Sequence, residues 1–216
     1  AGQTNRRRLS NLVYMGMGEP LLNLQAVLDS IRVLTDPHGL NFAHRAISVS
    51  TIGIPNGILR LARTEPQINL ALSLHAADDR TRALLVPGKF RHPLADILAA
   101  AWEHFAITHR KLLIEYVLIR GINDSVDAAR RLAGLLHGHV VTVNLLAWNP
   151  VLRPPSAMPL PEGASLAAPV RTAVAAFRDA LSREGIEAVI RHSKGTDIEA
   201  ACGQLAAQAA SYPSTG

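Results

Sequence analysis

Apolar positions along the chain fall into two alternating rhythms. A short apolar run at Leu12 to Met15 is followed by Leu24, Val27, Leu28, Ile31 and Leu34, spaced as one face of a helix with Asn23 placed to cap it. The strand Ala46 to Thr51 precedes a helix starting near Pro55, and Ile68 to His75 leads into a short helix over Asp78 to Leu85. After the turn at Pro87-Gly88, the stripe Leu94, Ile97, Leu98, Ala101 and Phe105 predicts another helix. Leu112 to Ile119 and Val140 to Leu146 read as strands, with a helix starting at Asn123-Asp124-Ser125 between them. A loop rich in proline and small residues, Pro150 to Ala164, separates these from a helix with the buried stripe Val170, Val174, Phe177 and Leu181, stopped by Gly185. A strand at Glu187 to Ile190 and a short helix near Ile198 follow.

Strands alternating with helices argue for an α/β fold with a parallel sheet or a (β/α) barrel. About six strands are visible where a full eight-stranded barrel needs roughly 250 residues, so a partial, (β/α)6-type barrel is expected. At 216 residues, one compact unit over 11–209 is expected, with a weakly structured basic segment over 1–10 and a tail over 210–216.

Ligands of such folds sit at the carboxyl ends of the strands, and there the small and polar residues gather. The first strand ends in Gly16, Gly18 and Glu19, the second in Ser50 and Thr51, the third in Ser73 and His75, and the last long one in Trp148, Asn149 and Pro150. Parity agrees: Ile68, Leu70, Leu72 and Leu74 pack outward on helices, while Asn69, Ala71, Ser73 and His75 face a lumen. Glu115, in mid-strand on the side of Leu113 and Val117, needs a partner, for which an arginine ion pair is expected. The stretch NLVYMGMGEPLLN lacks the third glycine of a dinucleotide-binding loop, having Leu21 there, so that reading fails. Gly18 instead allows close approach to the backbone, Pro20 holds Glu19 extended, and the Glu19 carboxylate is placed to take a ligand ammonium or to start a helix.

Composition narrows the setting. No apolar window approaches the length of a membrane span, and the arginine-bearing start does not read as a signal peptide, so a cytoplasmic, membrane-free protein is expected. A net charge of +5 favours polyanionic partners such as RNA, although the basic residues are scattered apart from Arg6, Arg7 and Arg8. The single cysteine, Cys202, excludes an internal disulfide and a cysteine cluster for metal; read alone it is a small core residue.

Taken in order, MGMGEPLLN, SVSTIGIP, LALSLHA, IEYVLIRGINDS, VNLLAWNP and GTDIEAACGQLA closely resemble the radical S-adenosylmethionine RNA methyltransferases. Those enzymes methylate carbon 2 of adenine in 23S ribosomal RNA and, in some members, transfer RNA. The resemblance covers about Asn11 to Ala209 and implies S-adenosyl-L-methionine contacts at Gly18, Glu19, Ser50, Ser73, Leu74, His75 and Asn149. It implies that Cys202 carries a methyl group to the base and that 23S rRNA and in some members tRNA is the partner; a monomer is expected. Carbon 2 of adenine is electrophilic and has no lone pair for direct displacement, which is why the family uses a radical and a 4Fe-4S cluster. The family's C-x-x-x-C-x-x-C cluster loop and its second, resolving cysteine are missing from this chain. With the missing first strand, the absent Met and the basic start, this points to an N-terminally truncated fragment, inactive by itself. The alternatives are the antibiotic-resistance relative that methylates carbon 8, a non-catalytic RNA-binding remnant, and an ordinary barrel enzyme for a phosphorylated metabolite. The last lacks a phosphate loop late in the chain.

Overall fold

The computed structural model of the chain describes residues 9–16, 18–86, 88–149 and 166–191. Within them six strands form one sheet in sequence order, every neighbouring pair parallel: β1 (Leu12–Tyr14), β2 (Ile47–Thr51), β3 (Asn69–Ser73), β4 (Leu112–Leu118), β5 (Val141–Ala147) and β6 (Glu187–Arg191). The helices α1 (Leu24–Thr35), α2 (Pro55–Thr64), α3 (Asp79–Leu85), α4 (Leu94–Thr108), α5 (Val126–Leu136) and α6 (Arg171–Arg183) make the crossovers. Parallel strands in sequence order with β1 and β6 at the edges are the expected partial barrel.

The two faces of the sheet divide the residues by parity. Ile47 and Val49, Leu70, Leu72 and Leu74, Ile114, Tyr116 and Leu118, and Val143 and Leu145 are all fully buried against the helices. Each such aliphatic side chain contributes about 1.5–3 kcal/mol relative to exposure. The same stripe reasoning holds for α1 through Leu24, Val27, Leu28 and Ile31, and for α6 through Val174, Phe177 and Leu181. Val170 departs from its expected place: it is the exposed N-cap residue of α6, not part of the buried stripe. A helix's first buried side chain must reach back over the preceding turn, and Val170 has no turn there to reach from.

Local chemistry sets the helix starts. Asp78 accepts a hydrogen bond from the Thr81 amide at 2.7 Å to begin α3, and Ser125 accepts one from Ala128 at 3.1 Å to begin α5. Asn23 makes no side-chain cap on α1; Glu19 instead caps the short 3-10 helix Pro20–Asn23 that leads into it. Gly53, at φ +100°, turns the chain from β2 into α2 where an added Cβ would lie 2.6 Å from Ile97 of α4. Both the left-handed backbone and the close approach of α4 require glycine there. The loop over 150–164, the segment near Ile198 and the two terminal segments lie outside the described residues, apart from Leu9 and Ser10 at the chain's start.

Candidate functional site

A cavity of about 280 Å³ opens where the strands end, lined by residues that follow or terminate β1 to β5. Gly18 and Glu19 contribute from the turn after β1, Ser50 from β2, Ser73 and His75 from the end of β3, and Glu115 and Val117 from β4. This is the carboxyl-end location at which α/β folds bind ligands. Five of the expected contacts therefore meet on one surface: Gly18, Glu19, Ser50, Ser73 and His75. Leu74 and Asn149 are not among the residues lining it. The Leu74 side chain is fully buried on the helix side, and its amide donates to the Glu115 carbonyl at 3.1 Å. Asn149 stands just beyond β5, and Cys202 lies outside the described residues.

Gly18 adopts φ +91°, with nothing among the described residues within 4 Å of where a Cβ would stand, so backbone is presented openly to the cavity. Next to it Glu19 is extended and holds two loops at once. One carboxylate oxygen accepts from the Leu21 amide at 3.0 Å and the other from the Ile52 amide, beyond β2, at 2.8 Å. Ile52 is held from its other side as well, because its carbonyl accepts from the guanidinium of Arg82 on α3. Arg82 is fully buried, donates also to the His92 carbonyl at 3.4 Å, and leaves Nε without a partner among the described residues. Burial holds the Arg82 pKa below its usual range.

His75 sits in the left-handed region at φ +59°, a conformation that costs a non-glycine residue energy unless its surroundings impose it. Asn123 supplies the constraint. Its side-chain amide donates to the His75 carbonyl and to the Val117 carbonyl, each at 2.7 Å, while its oxygen accepts from the Ile119 amide at 2.7 Å. The imidazole Nδ1 accepts from the Val117 amide at 3.2 Å, which puts the ring proton on Nε2. Burial, and then the Arg82 charge, hold the His75 pKa down to about 4, so the ring is neutral near pH 7 and offers Nε2–H as a donor. Ser50 and Ser73 hydroxyls are 3.1 Å apart across β2 and β3.

Glu115 lies one strand further on, in register with Ser73 and Asn144. Its partner is Asn144, whose amide donates to Oε1 at 2.8 Å, rather than the arginine expected from the sequence. Arg191 of β6 reaches only the Asn144 oxygen, at 3.3 Å. β5 lies between β4 and β6, and its Asn144 side chain bonds both Glu115 and Arg191. Burial pushes the Glu115 carboxyl up, and the Asn144 hydrogen bond and the Arg191 charge only partly offset that. Sequence reasoning missed Arg82, Asn123 and Asn144. Asn144 carried a signal, since it shares parity with Thr142 in an otherwise apolar strand; Asn123 read as a helix starter, and Arg82 as one of many scattered basic residues.

No group of three or more His, Cys, Asp or Glu among the described residues could hold a metal ion. No helix among them is long and apolar enough to cross a membrane.

No family model matches the chain. It is 44% identical over 200 residues to a probable dual-specificity RNA methyltransferase RlmN from Thermus thermophilus, covering 93% of this chain and 54% of that protein. It is 46% identical over 198 residues to the dual-specificity RNA methyltransferase RlmN of Sorangium cellulosum, covering 91% and 48%. The crystal structure of a radical SAM methyltransferase from Sphaerobacter thermophilus superposes with a TM-score of 0.84 at 42% identity, covering 92% of this chain and 55% of that one. A domain of pyruvate-formate lyase-activating enzyme from Bacteroides vulgatus shares the fold at 18% identity, with a TM-score of 0.62. The chain thus spans about half the length of the curated relatives it matches, and over that length it is similar to the RlmN-type radical SAM RNA methyltransferases.

Proposed function

We propose that the cavity binds S-adenosyl-L-methionine, and that the chain is the cofactor-binding part of an enzyme that methylates carbon 2 of an adenine in 23S rRNA, and in tRNA, by way of Cys202. The observation that carries this reading is the convergence of Gly18, Glu19, Ser50, Ser73 and His75 on one cavity at the strand ends. The relatives' names, dual-specificity RNA methyltransferases, support the substrate class.

The donor set suits a zwitterionic nucleoside. Glu19 keeps lone pairs for an ammonium after serving the two backbone amides, Gly18 brings bare backbone within reach, and the His75 Nε2–H and the paired serine hydroxyls supply neutral donors. Bound there, S-adenosyl-L-methionine supplies a methyl group activated on a sulfonium. Cys202 is the chain's single thiol, and as a thiolate it is the group to carry that methyl. The target carbon is reached only in an unstacked base, which costs a few kcal/mol and favours RNA loops.

The residues present do not fit a 4Fe-4S cluster. The sequence has one cysteine, and the described residues hold no metal-binding group. The 216 residues alone are therefore expected to bind the nucleoside and to methylate nothing. In the complete protein, Cys202→Ala is expected to abolish RNA methylation, read by mass spectrometry of the modified nucleoside. Full methylation by that variant removes Cys202 from the reaction, and a product methylated at carbon 8 replaces the carbon-2 assignment.

A further inference from the structure

We propose that Glu115 makes this cavity select a positively charged ligand, so that the sulfonium S-adenosyl-L-methionine is held in preference to the uncharged thioether S-adenosylhomocysteine. The inference rests on the cavity being the nucleoside site proposed above.

The charge balance of the wall carries it. Two carboxylates, Glu19 and Glu115, line the cavity, and no lysine or arginine is among its described lining residues. The histidine in the wall accepts a hydrogen bond on Nδ1 and is neutral, and the serines are uncharged. Glu19 has both oxygens engaged by backbone amides, whose dipoles partly neutralise it. Glu115 differs: one oxygen takes the Asn144 amide, and the other accepts no hydrogen bond from a described residue. The Arg191 guanidinium, whose charge acts on Glu115 from beyond Asn144, donates its hydrogen bond to that amide rather than to the carboxylate. A half-buried carboxylate facing a cavity without a counter-charge is costly by itself and is relieved by a cation entering from solution. The rise in the Glu115 pKa on burial is the same cost seen from the protein's side.

The two nucleosides differ in one methyl and one positive charge, which makes them a direct probe. With Coulomb attraction partly offset by desolvation, a preference on the order of tenfold for the sulfonium is expected. Isothermal titration calorimetry of the 216-residue chain with each compound tests this, alongside Glu115→Gln and Glu115→Asp, with the fold of each variant checked by circular dichroism. Glu115→Gln is expected to bring the affinity ratio close to one, chiefly by weakening the sulfonium, while Glu115→Asp retains a preference. A folded Glu115→Gln protein with an unchanged ratio overturns the proposal and leaves the nucleoside site standing. A wild-type ratio near one overturns it whether or not the variants fold. If the wild-type chain binds neither compound, the nucleoside site itself fails and this inference fails with it.

Discussion

The seams on either side of β4 are built differently. Between β4 and β5 the register runs through seven residue pairs, from Leu112 with Val141 to Leu118 with Ala147, and backbone hydrogen bonds close it. Between β3 and β4 it runs through only three, ending at Ser73 with Glu115. Beyond that point the Leu74 amide bonds the Glu115 carbonyl, the His75 ring takes the Val117 amide, and Asn123 ties the His75, Val117 and Ile119 backbones together. Side chains here satisfy backbone groups that a longer ladder would pair, and one of them, His75, also lines the cavity.

Removing the main side-chain bridge is the largest expected disruption. Asn123→Ala strips three hydrogen bonds from a side chain that is 1% exposed, leaving buried backbone groups unsatisfied. A loss of about 4 kcal/mol in stability is expected, with loss of nucleoside binding, measured by urea denaturation and calorimetry. A change below about 1 kcal/mol would mean that the seam does not depend on this amide.

Acid acts at both ends of the strands. His75 and His104 are each held down to about 4, mainly by burial, with the Arg82 and Arg110 charges respectively as the second cause. Their folded pKa lies below the unfolded value of 6.5, so the stability they contribute is present above about pH 6.5 and is lost as pH falls toward about 4. For His104, 1% exposed with Nε2 unpartnered among the described residues, the shift from 6.5 to about 4 corresponds to about 3 kcal/mol. Protonating His75 also turns its Nδ1 acceptor into a donor that faces the Val117 amide. Glu115 acts with the opposite sign, because its raised pKa gives a contribution present at low pH and lost as pH rises through its folded value. Denaturation curves at pH 7, 5.5 and 4.5 should show the net fall, and His104→Leu should flatten part of it. An acid limb as steep in that variant as in the wild type would remove His104 from the account.

The laddered strands beyond β4 should tolerate far more, and Thr142 of β5, which bonds across to Glu187 of β6, probes them. Thr142→Val removes one hydrogen bond, 3.2 Å to Glu187, whose exposed carboxylate keeps Lys111. Less than about 1 kcal/mol is expected, with binding unchanged. A loss comparable to that of Asn123→Ala would erase the contrast between the side-chain-bridged β3–β4 seam and the laddered strands beyond β4.

The strands and helices were largely legible in the sequence because their periodicities are local. Leu70, Leu72 and Leu74 against Ser73 and His75 announce a two-sided strand before any neighbour is known. A polar cavity at the strand ends followed from the same parity combined with the rule that ligands gather there. Partners across the sheet were not legible. Glu115 signalled a need for a partner, but whether Arg191 or Asn144 met it depended on which strand lies beside β4. Arg82 could not be singled out, because its importance comes from the Ile52 carbonyl, 30 residues away in the chain.

By itself the sequence determined the alternation of strands and helices, the polarity of the barrel's interior and the family resemblance, because each is written in residue types at fixed spacing along the chain. Only the tertiary structure decided that Glu19 braces two loops, that His75 is neutral and left-handed, and that Asn123 substitutes for a missing stretch of ladder. Those are properties of hydrogen-bond partners and dielectric surroundings, which a residue acquires only when distant parts of the chain are packed against it.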